Sequence, residues 1–124
     1  MTIAYWITAS LLALVYLASG GMKVLRDRES LVASGQTWAK DVNPVVPKIV
    51  GLLEVLGAVA VIAAPLTGIA VVLAPVAAIG LVLVQIVAIA IHVRLGETNR
   101  LVVNVILLAL AISVAVLGFL ALPL

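Results

Sequence analysis

Residues 47–94 read PKIVGLLEVLGAVAVIAAPLTGIAVVLAPVAAIGLVLVQIVAIAIHVR. Between Lys48 and Arg94 the only charged side chain is Glu54. A bilayer crossing takes ~20 apolar residues, so the stretch is long enough for two crossings. Pro65-Leu66-Thr67-Gly68 divides it: proline is expected to stop a helix there and glycine to release a tight turn. The stretch thus predicts a hairpin of two membrane helices, roughly 47–64 and 68–91. Pro75 falls inside the second of these and is expected to bend it.

Reading outward adds two more apolar runs, roughly 3–22 upstream and 101–122 downstream. Four crossings consume ~80 apolar residues, and 66% of the 124 residues are hydrophobic. Only 10% are charged, against ~25% in an ordinary soluble domain. That balance excludes a soluble enzyme, a nucleic-acid binder and a disordered chain. The expected fold class is an all-α membrane protein: one transmembrane domain over 1–124, an antiparallel bundle of four transmembrane helices. A short amphipathic segment is expected between helices one and two.

Met1-Thr2 carries no Lys or Arg, and the first basic residue, Lys23, follows the apolar run. A secretory signal has the reverse order and a shorter apolar core, so the first run is expected to remain as a helix. Seven Lys and Arg residues all lie in two connections, Lys23–Lys48 and Arg94–Arg100. Positive residues collect on the cytoplasmic side. Both connections are therefore expected inside and both termini outside.

The first connection has helical spacing of Leu31, Gly35, Trp38 and Val42, which predicts one or two short amphipathic helices at the membrane surface. Trp38 suits the headgroup layer. The segment either anchors there or forms a lid over a pocket open to the cytoplasmic side. Cysteine is absent and His92 is the single histidine, so no metal site is expected within one chain. No glycine-rich nucleotide motif follows a strand.

Eleven of the 12 charges lie in the two connections; Glu54 is the exception. It falls six residues past Lys48, about 9 Å along a helix. A carboxylate in hydrocarbon is costly, so it must face the bundle interior. Gly51, Gly57 and Ala58 are expected on the same helical face, where such small residues let another helix approach. Glu54 is either a structural carboxyl, paired with a lysine or hydrogen-bonded across helices, or a proton-exchanging or ligand-binding group.

Because the spans alternate in direction, polar residues gather at one end. Lys23 ends span one, Glu54 follows the start of span two, His92 ends span three and Asn104 follows the start of span four. Gln85 lies seven residues before His92, on nearly the same face. Lys23, Glu54, Gln85, His92 and Asn104 are the candidate ligand-binding residues, with Lys23 and Glu54 the natural ion pair. Read singly, each has a structural explanation: a lysine snorkels, and amides hydrogen-bond between helices. Together they suit the polar head of an amphiphile, such as a quinone ring whose carbonyls accept hydrogen bonds. The same cluster also fits other amphiphiles, or simple polar packing.

Gly20-Gly21-Met22-Lys23-Val24-Leu25 closes the first span, and Gly51-Leu52-Leu53-Glu54-Val55-Leu56-Gly57-Ala58 opens the second. With His92 and Asn104, these stretches make the chain resemble the DoxX-like family of small four-helix membrane proteins over nearly its whole length. The resemblance implies a four-helix bundle and a multi-pass plasma-membrane location. It implies varied roles: quinone-dependent sulfur oxidation, membrane redox complexes, or assistance to other membrane proteins.

Three functional readings follow. The first is an accessory or subunit that binds a quinone-like or lipidic ligand, or a redox partner, at the polar cluster. The loop with Arg26, Arg28 and Trp38 would then be its contact surface. The second is a small proton-coupled transporter using Glu54. Small multidrug exporters are similar in size, but their key glutamate lies in the first helix. The third is an assembly factor without ligand chemistry. Glycine and alanine faces also invite homo-oligomers.

Overall fold

The computed structural model describes the backbone of residues 1–124 and every side chain except that of Asn99. It contains α1 (Thr2–Leu25), α2 (Arg28–Ala33), a 3-10 turn (Thr37–Asp41), α3 (Val45–Thr67), α4 (Leu73–Leu95), a second 3-10 turn (Thr98–Arg100) and α5 (Leu101–Ala121). α1, α3, α4 and α5 have 21 to 24 residues each and are long and apolar enough to cross a membrane. In hydrocarbon a helix satisfies its own backbone polar groups, so these runs have no competing conformation.

The four helices pack as a ring. α1 lies against α3 and α5, and α4 lies against the same two. Chain direction reverses at each connection, which makes every neighbouring pair antiparallel. Side chains such as Leu14, Leu56, Ile79 and Val102 point outward and are exposed, as a lipid-facing surface requires. The core is built mostly from small residues around two tyrosines. Tyr5, Ala9, Leu12 and Tyr16 of α1 meet Ala58 and Val61 of α3, Ala74, Ala78 and Leu81 of α4, and Ala111 and Val114 of α5.

Two prolines behave differently from expectation. α3 does not stop at Pro65 but runs through it to Thr67, ending at Gly68, whose φ is 73°. Pro65 has no N–H to give to the Val61 carbonyl four residues earlier. The Tyr5 hydroxyl of α1 donates to that carbonyl instead, at 2.5 Å. Pro75 causes no bend, because α4 begins at Leu73 rather than Gly68. Pro75 therefore lies in the first turn, where amides have no intrahelical partner in any case.

The connection after α1 folds as two pieces. Asp27 caps α2 by accepting from the Ser30 amide at 2.8 Å, the expected role of an N-cap aspartate. Gly35, at φ 103°, ends the helical course, and the chain then turns through Thr37–Asp41. Leu31 and Ala39 are buried. Lys48 donates to the Val24 carbonyl at 3.0 Å, in the last turn of α1. Arg28 donates to the Val42 carbonyl at 3.1 Å. The end of the bundle that carries these segments is called the charged end below.

Candidate functional site

At the charged end, a cavity of about 810 Å³ lies among the four long helices and the Gln36–Val42 part of the connection. Its walls include Val50, Leu53, Val84, Ala88, Val103 and Leu107. All five residues singled out in the sequence line it: Lys23, Glu54, Gln85, His92 and Asn104. Each is buried in the packed chain.

The α1–α3 side carries the ion pair. Lys23 Nζ donates to Glu54 Oε1 at 2.5 Å and to Ser19 Oγ at 2.8 Å. Glu54 is 1% exposed, and an unpaired carboxylate at that depth would be very unfavourable. The pair meets because two glycines bring the helix backbones together. A Cβ on Gly20 would lie 2.6 Å from the Gly51 carbonyl oxygen. Gly57, by contrast, faces Leu81 of α4. The small residues of α3 thus serve two different neighbours.

The α4–α5 side carries amides. Gln85 Nε2 donates to Asn104 Oδ1 at 2.7 Å. The Tyr16 hydroxyl donates to Gln85 Oε1, also at 2.7 Å. Tyr16 thereby ties α1 to α4, its opposite corner in the ring.

His92 lines the same cavity but bonds outward. Its Nδ1 lies 2.9 Å from Glu97 Oε2, and the other Glu97 oxygen accepts from the Thr37 hydroxyl. The Thr37 hydrogen bond, with help from His92 and the nearby Arg100 charge, holds the Glu97 carboxyl below its ordinary range. An ionised carboxylate only accepts, so the shared proton sits on Nδ1. Arg100, also on the cavity wall, reaches the Ser34 carbonyl at 3.5 Å. The two connections are therefore clasped over the cavity by Thr37–Glu97 and Ser34–Arg100. Trp38 points into the cavity wall and donates to Gln36 Oε1 at 2.8 Å.

A family model described as the DoxX-like family matches residues 7–114. The chain belongs to the DoxX-like family. No curated protein and no solved structure matches it.

In this DoxX-like protein, the participants missing from the candidate residues include Tyr16, Ser19, Thr37, Glu97 and Arg100. A signal existed for two of them. Ser19 and Tyr16 precede Lys23 by four and seven residues, which places all three on one helical face. Glu97 was hidden among ordinary loop charges. Among the described residues, no group of three His, Asp or Glu side chains is placed to hold a metal ion.

Proposed function

We propose that this DoxX-like membrane protein is an accessory or subunit that binds an uncharged, quinone-like or lipidic amphiphile in the charged-end cavity. One observation carries the reading: the cavity walls are mostly apolar, and the buried Lys23–Glu54 ion pair within it closes on itself. Lys23 is matched by Glu54 and His92 is bonded to Glu97. An amphiphile would place its polar head among these groups and its tail along the apolar wall. The cavity volume lies in the range of small-molecule sites. The engagement of Glu54 by Lys23 favours positioning over proton exchange as the role of that carboxylate.

We infer from its positive charges that the charged end faces the cytoplasm and both termini face outside; the plasma-membrane location is what the DoxX-like family implies. A redox partner would then meet the exposed residues of the first connection, including Arg26 and Arg28. The binding test uses purified protein in lipid nanodiscs and a tritiated short-tailed alkyl-benzoquinone. Saturable binding is expected in the natural protein and its loss in Ala88→Trp, which fills the cavity. Absence of saturable binding, or equal binding by the filled variant, would overturn the reading.

A further inference from the structure

The cavity surface reaches the outside of the bundle between two helices. On α4, Gln85 is 3% exposed, whereas Val87 and Leu83 are 57% and 60% exposed; Val84 and Ala88 are half-buried. All five line the cavity. With 3.6 residues per turn they follow one another around the helix axis from Gln85, in the order Ala88, Val84, Val87, Leu83. Leu81 lies on that same side of Gln85 and packs against Gly57 of α3, so the series turns toward α3. The α3 residues mirror it. Glu54 is 1% and Leu53 54% exposed, with Val50 half-buried, and all three line the cavity. Gly57, one turn after Leu53 on the same face, shows that this edge of α3 is the one toward α4. One continuous surface therefore leads from the buried ion pair and amides out through the gap between α3 and α4.

The gap has a floor and a depth. It closes toward the base where Gly57 meets Leu81: a Cβ on Gly57 would lie 2.9 Å from Leu81 Cδ2. Its rim is aliphatic throughout, with Val46, Val50 and Leu53 on α3 facing Leu83, Val87 and Ile91 on α4. The exposed Lys48 marks the water side of α3, and Leu53 lies five residues further along, about 8 Å deeper. The gap thus opens along the apolar part of two membrane-crossing helices, not at the water surface. The edge between α1 and α5 is different. Among its lining residues, Ser19 accepts from Lys23 at 2.8 Å and Met22 accepts from the Ser34 hydroxyl at 3.9 Å.

We propose that the gap between α3 and α4 is the tail site: a single hydrocarbon chain of the bound amphiphile leaves the cavity sideways there and lies among the lipid chains of the charged-end half of the membrane. This rests on the amphiphile-binding reading above. The rim fits a hydrocarbon chain because its side chains carry no polar atom, and because the gap is continuous with the cavity that would hold the head. The consequence concerns the class of ligand. A sealed cavity of about 810 Å³ would set an upper limit on chain length; an open gap sets none. Lipid tails are as apolar as leucine, so a chain moving from lipid into the gap gains little from burial. The head is selected and the length of the chain is not.

The test uses two tritiated alkyl-benzoquinones in lipid nanodiscs, one short-tailed and one whose extended tail would cross a full leaflet, with affinity expressed per mole fraction in the lipid. The natural protein should bind the two within about twofold of each other. Leu53→Trp/Val87→Trp narrows the gap from both sides. It should weaken the long-tailed probe about tenfold, as overpacking would, and leave the short-tailed probe within about twofold. Leu56→Trp, exposed on α3 but away from the cavity, should change neither. A diazirine in the middle of the long tail should label residues 46–53 or 83–91 on illumination, read by mass spectrometry of peptides. That label decides the matter where the double variant loses both probes or fails to fold. Unchanged long-tail binding in a folded double variant, labelling confined to α1 and α5, or a natural protein that binds the short-tailed probe and rejects the long-tailed one would overturn the inference while sparing amphiphile binding. A natural protein that binds neither probe would overturn both.

Discussion

Gly20 and Gly51 face each other across α1 and α3 so closely that each stands where the other could not carry a side chain. A Cβ on Gly51 would lie 2.6 Å from the Gly20 carbonyl oxygen and 2.7 Å from Lys23 Cβ. The ion pair below depends on that approach. Gly51→Ala should separate the helices and cost about 1–3 kcal/mol, the usual range for overpacking. Gly21→Ala, where a Cβ meets nothing within 4 Å, should be neutral or slightly stabilising. Thermal denaturation of the two variants in one detergent checks the contrast.

Lys23 and Glu54 illustrate a buried pair whose partners need each other more than the fold needs the pair. Glu54→Gln or Lys23→Met alone leaves an uncompensated polar group or charge, for about 3–5 kcal/mol of destabilisation. Lys23→Met combined with Glu54→Leu should recover most of it. A double-mutant cycle measured by reversible unfolding reads the coupling. Additive losses would show that the two side chains act separately.

Tyr5 replaces a hydrogen bond that Pro65 cannot make. Tyr5→Phe should leave the Val61 carbonyl unsatisfied and destabilise by about 1–3 kcal/mol. Adding Pro65→Ala restores an amide four residues beyond Val61, so the double variant should be more stable than Tyr5→Phe alone. Melting temperatures of the three variants test this.

The sequence made the bundle legible because one rule dominates in a membrane: backbone groups must be satisfied locally, and apolar runs of crossing length have one solution. Glu54 was legible for a related reason. A charge in the middle of such a run must find a partner inside, and alternating chain direction brings Lys23 to the same depth. The prolines were misread because their effect depends on tertiary context. Pro65 stays helical only because Tyr5, from another helix, supplies the missing donor. Pro75 is harmless only because the turn after Gly68 delays the start of α4. The Tyr16–Gln85–Asn104 chain needed the rotation of three helices about their axes, which spacing alone leaves open.

The clasp between the two connections should respond to acid. Glu97 is held ionised by Thr37 and His92, so its folded-state pKa lies below that of the unfolded chain. A carboxyl lowered in this way contributes stability above the ordinary glutamate range, about 4.3. That contribution is lost as pH falls through the folded value. Hydrogen exchange in residues 28–41 should therefore accelerate below about pH 4, and Glu97→Gln should remove the acid dependence.

Gly35 provides a second, pH-independent way to open the same clasp. Its φ of 103° is a conformation side chains rarely adopt. A Cβ there would also strike the Arg100 guanidinium. Gly35→Ala should displace Arg100 from the Ser34 carbonyl and expose residues 28–41 to limited proteolysis. The four long helices should keep their protection. An unchanged cleavage pattern would mean that Arg100 does not hold the connection.

Beyond Tyr16 the bundle closes. Tyr5, Leu12, Val61, Ala78, Ala111 and Val114 are buried against one another, and Tyr5 and Tyr16, eleven positions apart, are separated by about 16 Å of helix. The molecule is thus a cup with a solid base rather than a tube. A ligand of the proposed kind would therefore be taken up and released within the charged-end half of the bundle, and not passed through it. In the opposite half the interior is filled by a plug of alanine, valine, leucine and tyrosine.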